Sequence, residues 1–360
     1  MLALRKLQAG PGLALQEVPE PAPPQAGELL LAVEAAGICG SDLHLDAWAP
    51  GVQHVARHLP VTLGHEFAGR VLALGPDTEG PAPGTRVAVL PGVACQRCLA
   101  CLRGEPAACA RRQAIGVTRD GGFAPRVCVP AANCVVLPDG LEPALAALLE
   151  PLGIGDNAAQ VGEIGFGDTV VVLGPGTIGQ AACRAAAWRG AAAVVAVGFR
   201  DAPRLAVARA VGATHALDLA DEAALPDALQ RLLGRRQVDK VIEATGAAAS
   251  LGDGLAVLRD GGIYVSVGIH QQAAALDMNA VVRRRLQIRG AYSSTRRSWE
   301  ALARRIAADP ASVRPMLSRL MPLAEGTQAF ALCHGRALSK VVLLPQATPA
   351  STTTTPGDTP

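Results

Sequence analysis

Apolar positions in the first 150 residues come in short runs interrupted by glycine, proline and charge. ELLLAVEAAGIC (28–39), HEFAGRVLALG (65–75) and TRVAVLPG (85–92) are aliphatic stretches bounded by turn residues, which predicts short strands and a mainly β first half. Near residue 150 the texture changes. DTVVVLGPGTIGQAACRAAAWRG (168–190) reads as a strand, a glycine turn and an alanine-rich helix, AAAVVAVGF (191–199) as a second strand and RLAVARAVGA (204–213) as a second helix. VDKVIEATG (238–246) and GGIYVSVG (261–268) add strands. Strands alternating with helices predict a parallel, doubly wound sheet and an α/β chain overall. After RRLQIRGAY (284–292) the pattern is mixed again, with one helical stretch expected around 298–308. The end, ATPASTTTTPGDTP (347–360), is low in complexity and is expected to be disordered.

Length and charge narrow the classes. The chain has 360 residues, which suggests two domains of roughly 150 each. Half of it is apolar, enough for a sizeable core. A net charge of +2 provides no field suited to nucleic acid or an anionic membrane, so neither partner is expected. No apolar run approaches the ~20 residues of a membrane span. MLALRKLQAGPGLALQEVPE lacks the order of a signal peptide, and a cytoplasmic protein is expected. In a reducing compartment clustered cysteines bind metal or do redox work more often than they form disulfides. The total of nine is also odd.

Four of the nine sit in CQRCLACLRGEPAAC, as Cys95, Cys98, Cys101 and Cys109, at spacing C-x2-C-x2-C-x7-C. A structural metal site, a redox dithiol and a nucleic-acid-binding ribbon all use such clusters. A redox pair wants an isolated C-x-x-C at a helix start. A ribbon wants basic and aromatic neighbours; Arg97, Arg103, Arg111 and Arg112 are near, but the stretch has no aromatic. Further along, GPGTIG places Gly174, Gly176 and Gly179 in G-x-G-x-x-G, after the strand TVVVL and at the opening of a helix, with Thr177 and Ile178 between. In that context the backbone N–H groups and the helix N-terminus face a pyrophosphate. The second strand should end in an acid if the ribose is unphosphorylated. It ends Val197-Gly198-Phe199-Arg200-Asp201 instead. A small residue followed by arginine suits a 2′-phosphate, so NADP is favoured; Asp201 keeps NAD as the alternative. Gly268, closing GGIYVSVG, is a further cofactor-side candidate.

GICGSDLH (37–44), GHEF (64–67) and LLEPLG (148–153) contribute Cys39, His65, Glu66 and Glu150, ligand types that suit zinc. Singly each has a plain reading: a small buried thiol, an ion pair on a turn, a helix start. Together with the four-cysteine run, GVTRDGGFA (116–124) and GPGTIG, and in this order, they resemble the zinc-containing medium-chain alcohol and polyol dehydrogenases, the branch of sorbitol, butanediol and threonine dehydrogenases.

That resemblance implies a GroES-like, mainly β catalytic domain (1–152, with a structural zinc lobe at 91–112), a Rossmann cofactor domain (153–290), a return to the catalytic domain (291–346) and the tail. It implies two zinc ions. One is structural, on Cys95, Cys98, Cys101 and Cys109, where four thiolates close the tetrahedron against water. The other is catalytic, on Cys39 and His65 with Glu66 and Glu150 completing or approaching the shell. Glu150 stands where other alcohol dehydrogenases place a second cysteine, which points to the polyol and threonine branch. Ser41 and His44, two and five residues after Cys39, match the family's proton relay, and Asp42 is a candidate orienter of a ligand. The reaction implied is hydride transfer between a secondary alcohol, diol or polyol and a nicotinamide cofactor, with a threonine-type amino-alcohol dehydrogenase as the alternative. A non-catalytic relative would be expected to lack the ligands that are all present here. A homodimer or homotetramer is expected.

Other residues are read more plainly. Tyr292 lies where polyol dehydrogenases carry an aromatic-Arg-Tyr sequence, but the arginine is missing: Ala291-Tyr292-Ser293. Trp48 is either a pocket wall or a core cover. His54 and His58 are expected in an extended segment near the pocket mouth. His215, His270 and His334 read as surface or loop histidines, and Cys128, Cys134, Cys183 and Cys333 as packing residues.

Overall fold

In a computed structural model that describes residues 1–346 other than 223 and 271, six strands form one parallel sheet. The expected disordered tail lies outside the described residues. In spatial order the strands are His215–Asp218, Ala193–Gly198, Thr169–Leu173, Val238–Glu243, Leu258–Ser266 and Gln287–Gly290. The order reverses between Thr169–Leu173 and Val238–Glu243, and ligands of open α/β sheets bind beyond the carboxyl ends of strands at such a reversal. The strands Ala193–Gly198 and Thr169–Leu173 read as near-unbroken apolar runs because both their faces are covered. Val170 and Val172 join one core with Ala182, Ala186 and Ile263; Val171 and Leu173 join another with Leu225, Leu229 and Val257.

Gly174 takes φ +97°, and a Cβ on Gly179 would stand 1.7 Å from the Gly174 carbonyl oxygen. Only glycine lets the turn lie so close to the helix Thr177–Trp188 that follows.

The mainly β unit takes strands from both ends of the chain. Its larger sheet runs Cys134–Val136, Arg86–Val89, Glu66–Leu74, Glu28–Gly37, Lys340–Leu344, Leu317–Pro322, with Arg126–Pro130 also on Glu28–Gly37. Gly37 pairs with Glu66 on one side and Val342 on the other. Three strands distant in sequence therefore bring Cys39, Glu66 and Lys340 to one edge. A short ribbon, Gly92–Val93 with Gln113–Ala114, closes the loop that carries the four-cysteine run.

The expected helix around 298–308 is Arg296–Ala308, and Glu150 lies in the first turn of the helix Leu149–Val161. The segment holding His54 and His58 is not extended: Gln53–His58 is a 3-10 helix. Its i→i+3 bonding leaves no apolar period to read, since only Val55 is buried.

Gly179→Ala should force turn and helix apart. The expected loss is roughly 1–3 kcal/mol, seen as a lower melting temperature together with weaker dinucleotide binding; a variant unchanged in both would contradict this packing.

Candidate metal and dinucleotide site

Cys39 ends the strand Glu28–Gly37 and caps the helix Gly40–Ala47. Its backbone N–H donates to Asp42 Oδ2 at 2.9 Å, which fixes the first turn. The other oxygen of this fully buried acid lies 3.5 Å from His65 Nδ1. That is an ion-pair distance rather than a hydrogen bond, and both atoms lack a hydrogen-bond partner. With Nδ1 turned to Asp42, Nε2 is the free donor atom of His65, and Ser41 Oγ lies 3.4 Å from it. Donor atoms of Cys39, His65 and Glu66 all fall within 4.8 Å of one another. Thiol, imidazole and carboxylate converging in a buried pocket fit zinc. A carboxylate beside an imidazole nitrogen is the usual support of a metal-bound histidine.

Glu150 is not in this compact group but shares its field. Burial pushes its carboxyl up to about 7, with Glu66 and Asp42 adding to the rise and His65 and Lys340 opposing it. Burial alone would lower the His65 pKa; Asp42 and Cys39 outweigh it and hold the imidazole well above its usual range.

Sequence reasoning missed Lys340. Its Nζ is buried and donates to Glu66 at 2.8 and 2.5 Å and to the Ile38 carbonyl at 2.7 Å. Burial would lower its pKa, and the Glu66 charge more than reverses that. The signal was a lysine opening the apolar strand KVVLL (340–344), since a lysine is almost never fully buried without an acid.

The four cysteines converge as the second candidate group, again within 4.8 Å. Cys98 Sγ lies 3.5 Å from Cys101 Sγ and 3.8 Å from Cys109 Sγ, far beyond a disulfide bond. With Zn–S near 2.3 Å, the edge of a ZnS₄ tetrahedron is about 3.8 Å. The Arg97 backbone N–H, bonded to Cys95, favours its thiolate and lowers its pKa to about 6.

On the dinucleotide side, Gly174, Gly176, Thr177, Ile178 and Gly179 form the turn and first helical positions beyond Thr169–Leu173. This helix is tied to the β unit: Thr177 Oγ1 donates to the Ser339 carbonyl at 2.8 Å and Gln180 Nε2 to Ser339 Oγ at 2.7 Å. Gly198 ends its strand and Arg200 lies exposed beside it. Asp201 receives Arg204 Nε at 2.9 Å on both oxygens, so this acid is already neutralised by a partner. The Gly268 N–H donates to the Glu243 carbonyl. The buried Glu243 carboxylate gathers the N–H groups of Thr245 and Gly246, the Ser250 hydroxyl and His270 Nε2 at 3.1 Å. His270, expected as a surface or loop histidine, lies in a loop and is tied there to a buried acid, and His334 pairs with Asp46 at 2.8 Å.

His44 shares a helix with Ser41, one turn on. Trp48 ends that helix with φ 52° and lies under the Lys6 ammonium, 5.3 Å from its ring centroid. His54 and His58 are on the exposed 3-10 turn, and His215 bonds Thr214. Cys134 and Cys183 are buried, Cys128 and Cys333 half-buried. Arg112, from the end of the cysteine lobe, stacks on Tyr292 at 5.3 Å and donates to Ser293 Oγ at 3.1 Å. A guanidinium therefore does stand beside Tyr292, but it comes from the distant cysteine lobe, 181 residues before Ser293.

Residues 25–139 match the family described as alcohol dehydrogenase GroES-like domain, and residues 177–308 the family described as zinc-binding dehydrogenase. An L-threonine 3-dehydrogenase of Idiomarina loihiensis is 30% identical over 346 residues, covering 95% of this chain and 99% of that one. A sorbitol dehydrogenase of Halalkalibacterium halodurans is 31% identical over 349 residues, covering 96% and 99%. The crystal structure of a zinc-binding dehydrogenase from Sinorhizobium meliloti bound to NADP superposes with a TM-score of 0.84 at 30% identity, again covering 96% and 99%.

The buried titrating groups give a pH test. The folded chain keeps a proton on Glu150 that the unfolded chain releases from the ordinary carboxylate range up to about pH 7, so metal-free stability falls as pH rises through that window. The raised His65 adds the same sign above the ordinary imidazole range. A bound dication takes the place of those protons. The melting temperature of chelator-treated protein should therefore fall between about pH 5 and 8, and zinc should remove the fall; parallel pH profiles with and without zinc would contradict the site.

Proposed function

Since the chain belongs to the zinc-containing medium-chain alcohol and polyol dehydrogenases, we propose that Cys39, His65 and Glu66, with Glu150 beside them, hold the zinc at which it oxidises its substrate. The chain is an oxidoreductase acting on a secondary alcohol, diol or polyol with a nicotinamide cofactor. The observation carrying the site assignment is the convergence of three unlike donor atoms within 4.8 Å. Bound there, zinc makes the alcohol's hydroxyl proton acidic near neutral pH, and the nicotinamide ring accepts the hydride.

The protein's part is placement and proton removal. Asp42 holds the His65 ring and, through the Cys39 N–H, the turn that presents the thiol. Lys340 fixes Glu66. Glu150, with no ion pair among the described residues, is the acid free to shift as substrate arrives. The Ser41 hydroxyl would take the substrate proton while passing its own, by way of the cofactor ribose, to the His44 imidazole, which releases it towards solvent. Cys95, Cys98, Cys101 and Cys109 hold a second, structural zinc with no open position.

The cofactor is NADP on this reading. Gly198 puts no carboxylate where an acid would meet the ribose, Arg200 follows, and Asp201, which carries the NAD alternative, is engaged by Arg204. The S. meliloti relative was crystallised with NADP. The exposed edge strand Gln287–Gly290 is the surface on which two copies pair. The threonine dehydrogenase relative keeps an amino-alcohol substrate as the second reading.

Two outcomes follow. Cys39→Ser and His65→Ala should each lower turnover at least ~10³-fold while dinucleotide binding persists; a panel of diols, sugar alcohols and threonine followed at the reduced-nicotinamide absorbance checks this. Gly198→Asp should move preference towards NAD. Its Cβ would stand 3.1 Å from Leu205 and Pro175, so a lower melting temperature should accompany the switch. An unchanged cofactor ratio would contradict the reading of this strand end.

A further inference from the structure

Beyond the carboxyl end of Ala193–Gly198 lies a cleft of about 360 Å³ lined by Phe199, Arg200, Asp201, Arg204, Gly335 and Arg336. It has two walls from different parts of the molecule. Residues 199–204 belong to the parallel-sheet unit. Residues 335 and 336 lie in the connection between the helix Gly326–His334 and the strand Lys340–Leu344 of the β unit. Three arginines and one carboxylate line it, and Arg204 already holds that carboxylate. Two positive charges remain. Among the described residues neither Arg200 nor Arg336 makes an ion pair within 4.0 Å; Arg200 rests over the Phe199 ring, with the Asp218 carboxylate near enough to feel its charge.

Both free arginines occupy left-handed backbone, with φ 53° at Arg200 and 57° at Arg336. Glycine or asparagine takes that conformation more readily than arginine. At Arg200 the turn is held by Asp218, which accepts the N–H groups of Arg200 and Asp201 at 2.8 and 2.9 Å. At Arg336 the N–H returns to the Cys333 carbonyl at 3.3 Å. Three residues later the same connection is fastened to the dinucleotide helix through Ser339. The connection is thus docked against the dinucleotide helix, with Arg336 lining the cleft.

We propose that Arg336 reads the 2′-phosphate of the cofactor from the β unit, completing with Arg200 and Arg204 a clamp that spans the two units. This rests on the NADP reading above and goes beyond it by assigning part of cofactor choice to a residue outside the dinucleotide-binding fold. A phosphomonoester carries about −1.5 to −2 charge at neutral pH, which suits two guanidinium groups that make no close ion pair of their own. Arginine presents paired N–H donors to phosphate oxygens, where lysine offers a point charge.

The test uses calorimetric binding of adenosine 2′,5′-bisphosphate and of 5′-AMP to the zinc-loaded full chain, which separates the phosphate from the nicotinamide. Wild type should prefer the bisphosphate. Arg336→Ala should weaken the bisphosphate about ten- to a hundredfold and leave 5′-AMP unchanged, with Arg336→Lys between. Arg336 is exposed, so the fold should survive its replacement. Wild type without preference for the bisphosphate would overturn the NADP reading and the clamp with it. A wild-type preference that Arg336→Ala leaves intact would overturn the clamp alone, leaving the phosphate to Arg200 and Arg204. Equal loss of both ligands in Arg336→Ala would show a role in shaping the cleft rather than in reading phosphate, and would also overturn the proposal.

Discussion

The buried pair Lys340–Glu66 is the contact on which the rest depends. One ammonium grips the Glu66 carboxylate and the Ile38 carbonyl across separations of 274 and 302 residues. Ile38 precedes Cys39, and Glu66 follows His65. A single side chain near the end of the chain thus pins the two backbone segments that present the candidate metal ligands. Removing one partner of a buried pair leaves the other charge unpaired, typically at ~3–5 kcal/mol. The pair therefore makes the site conditional on the return of the last strand to the first sheet.

The same returning segment joins the two units. Within residues 336–340, Arg336 borders the cleft beside Arg200, Ser339 is bonded to Thr177 and Gln180, and Lys340 holds Glu66. The glycine turn's helix and the candidate metal ligands are thus fastened to one short stretch of backbone. The parallel sheet contributes a rigid floor with both faces filled. The β unit contributes the candidate ligands near the strand ends where Gly37, Glu66 and Val342 are neighbours. Hydride transfer needs donor carbon and acceptor ring held in near-attack geometry, and few places in such a fold could supply both partners from rigid elements.

Much of this was legible from local pattern. The strand–glycine–helix unit at 168–190, the four-cysteine spacing and the Cys39 and His65 motifs each sit within a few residues, so sequence adjacency stood in for spatial adjacency. What was not legible depends on long-range side-chain partners. Lys340 looks like an ordinary strand residue until Glu66 is placed beside it. Arg112 gains meaning only against Tyr292. His270 looked like a plain surface or loop histidine because Glu243 ends a strand of its own, 27 residues earlier. The 3-10 turn at Gln53–His58 was read as extended because one buried residue gives no period. Asp42, a weak candidate in the sequence, gained weight once its oxygens were found against the Cys39 N–H and the His65 ring.

The proposed chemistry rests on Cys39, His65 and Glu66 gripping one ion separate from one on the four cysteines. Zinc-edge X-ray absorption combined with metal content addresses this most directly. The expected result is two zinc ions per chain with a mixed sulfur and nitrogen/oxygen shell in the wild type, reduced in Cys39→Ala to one ion with sulfur alone. A single, all-sulfur zinc in the fully loaded wild type would contradict it.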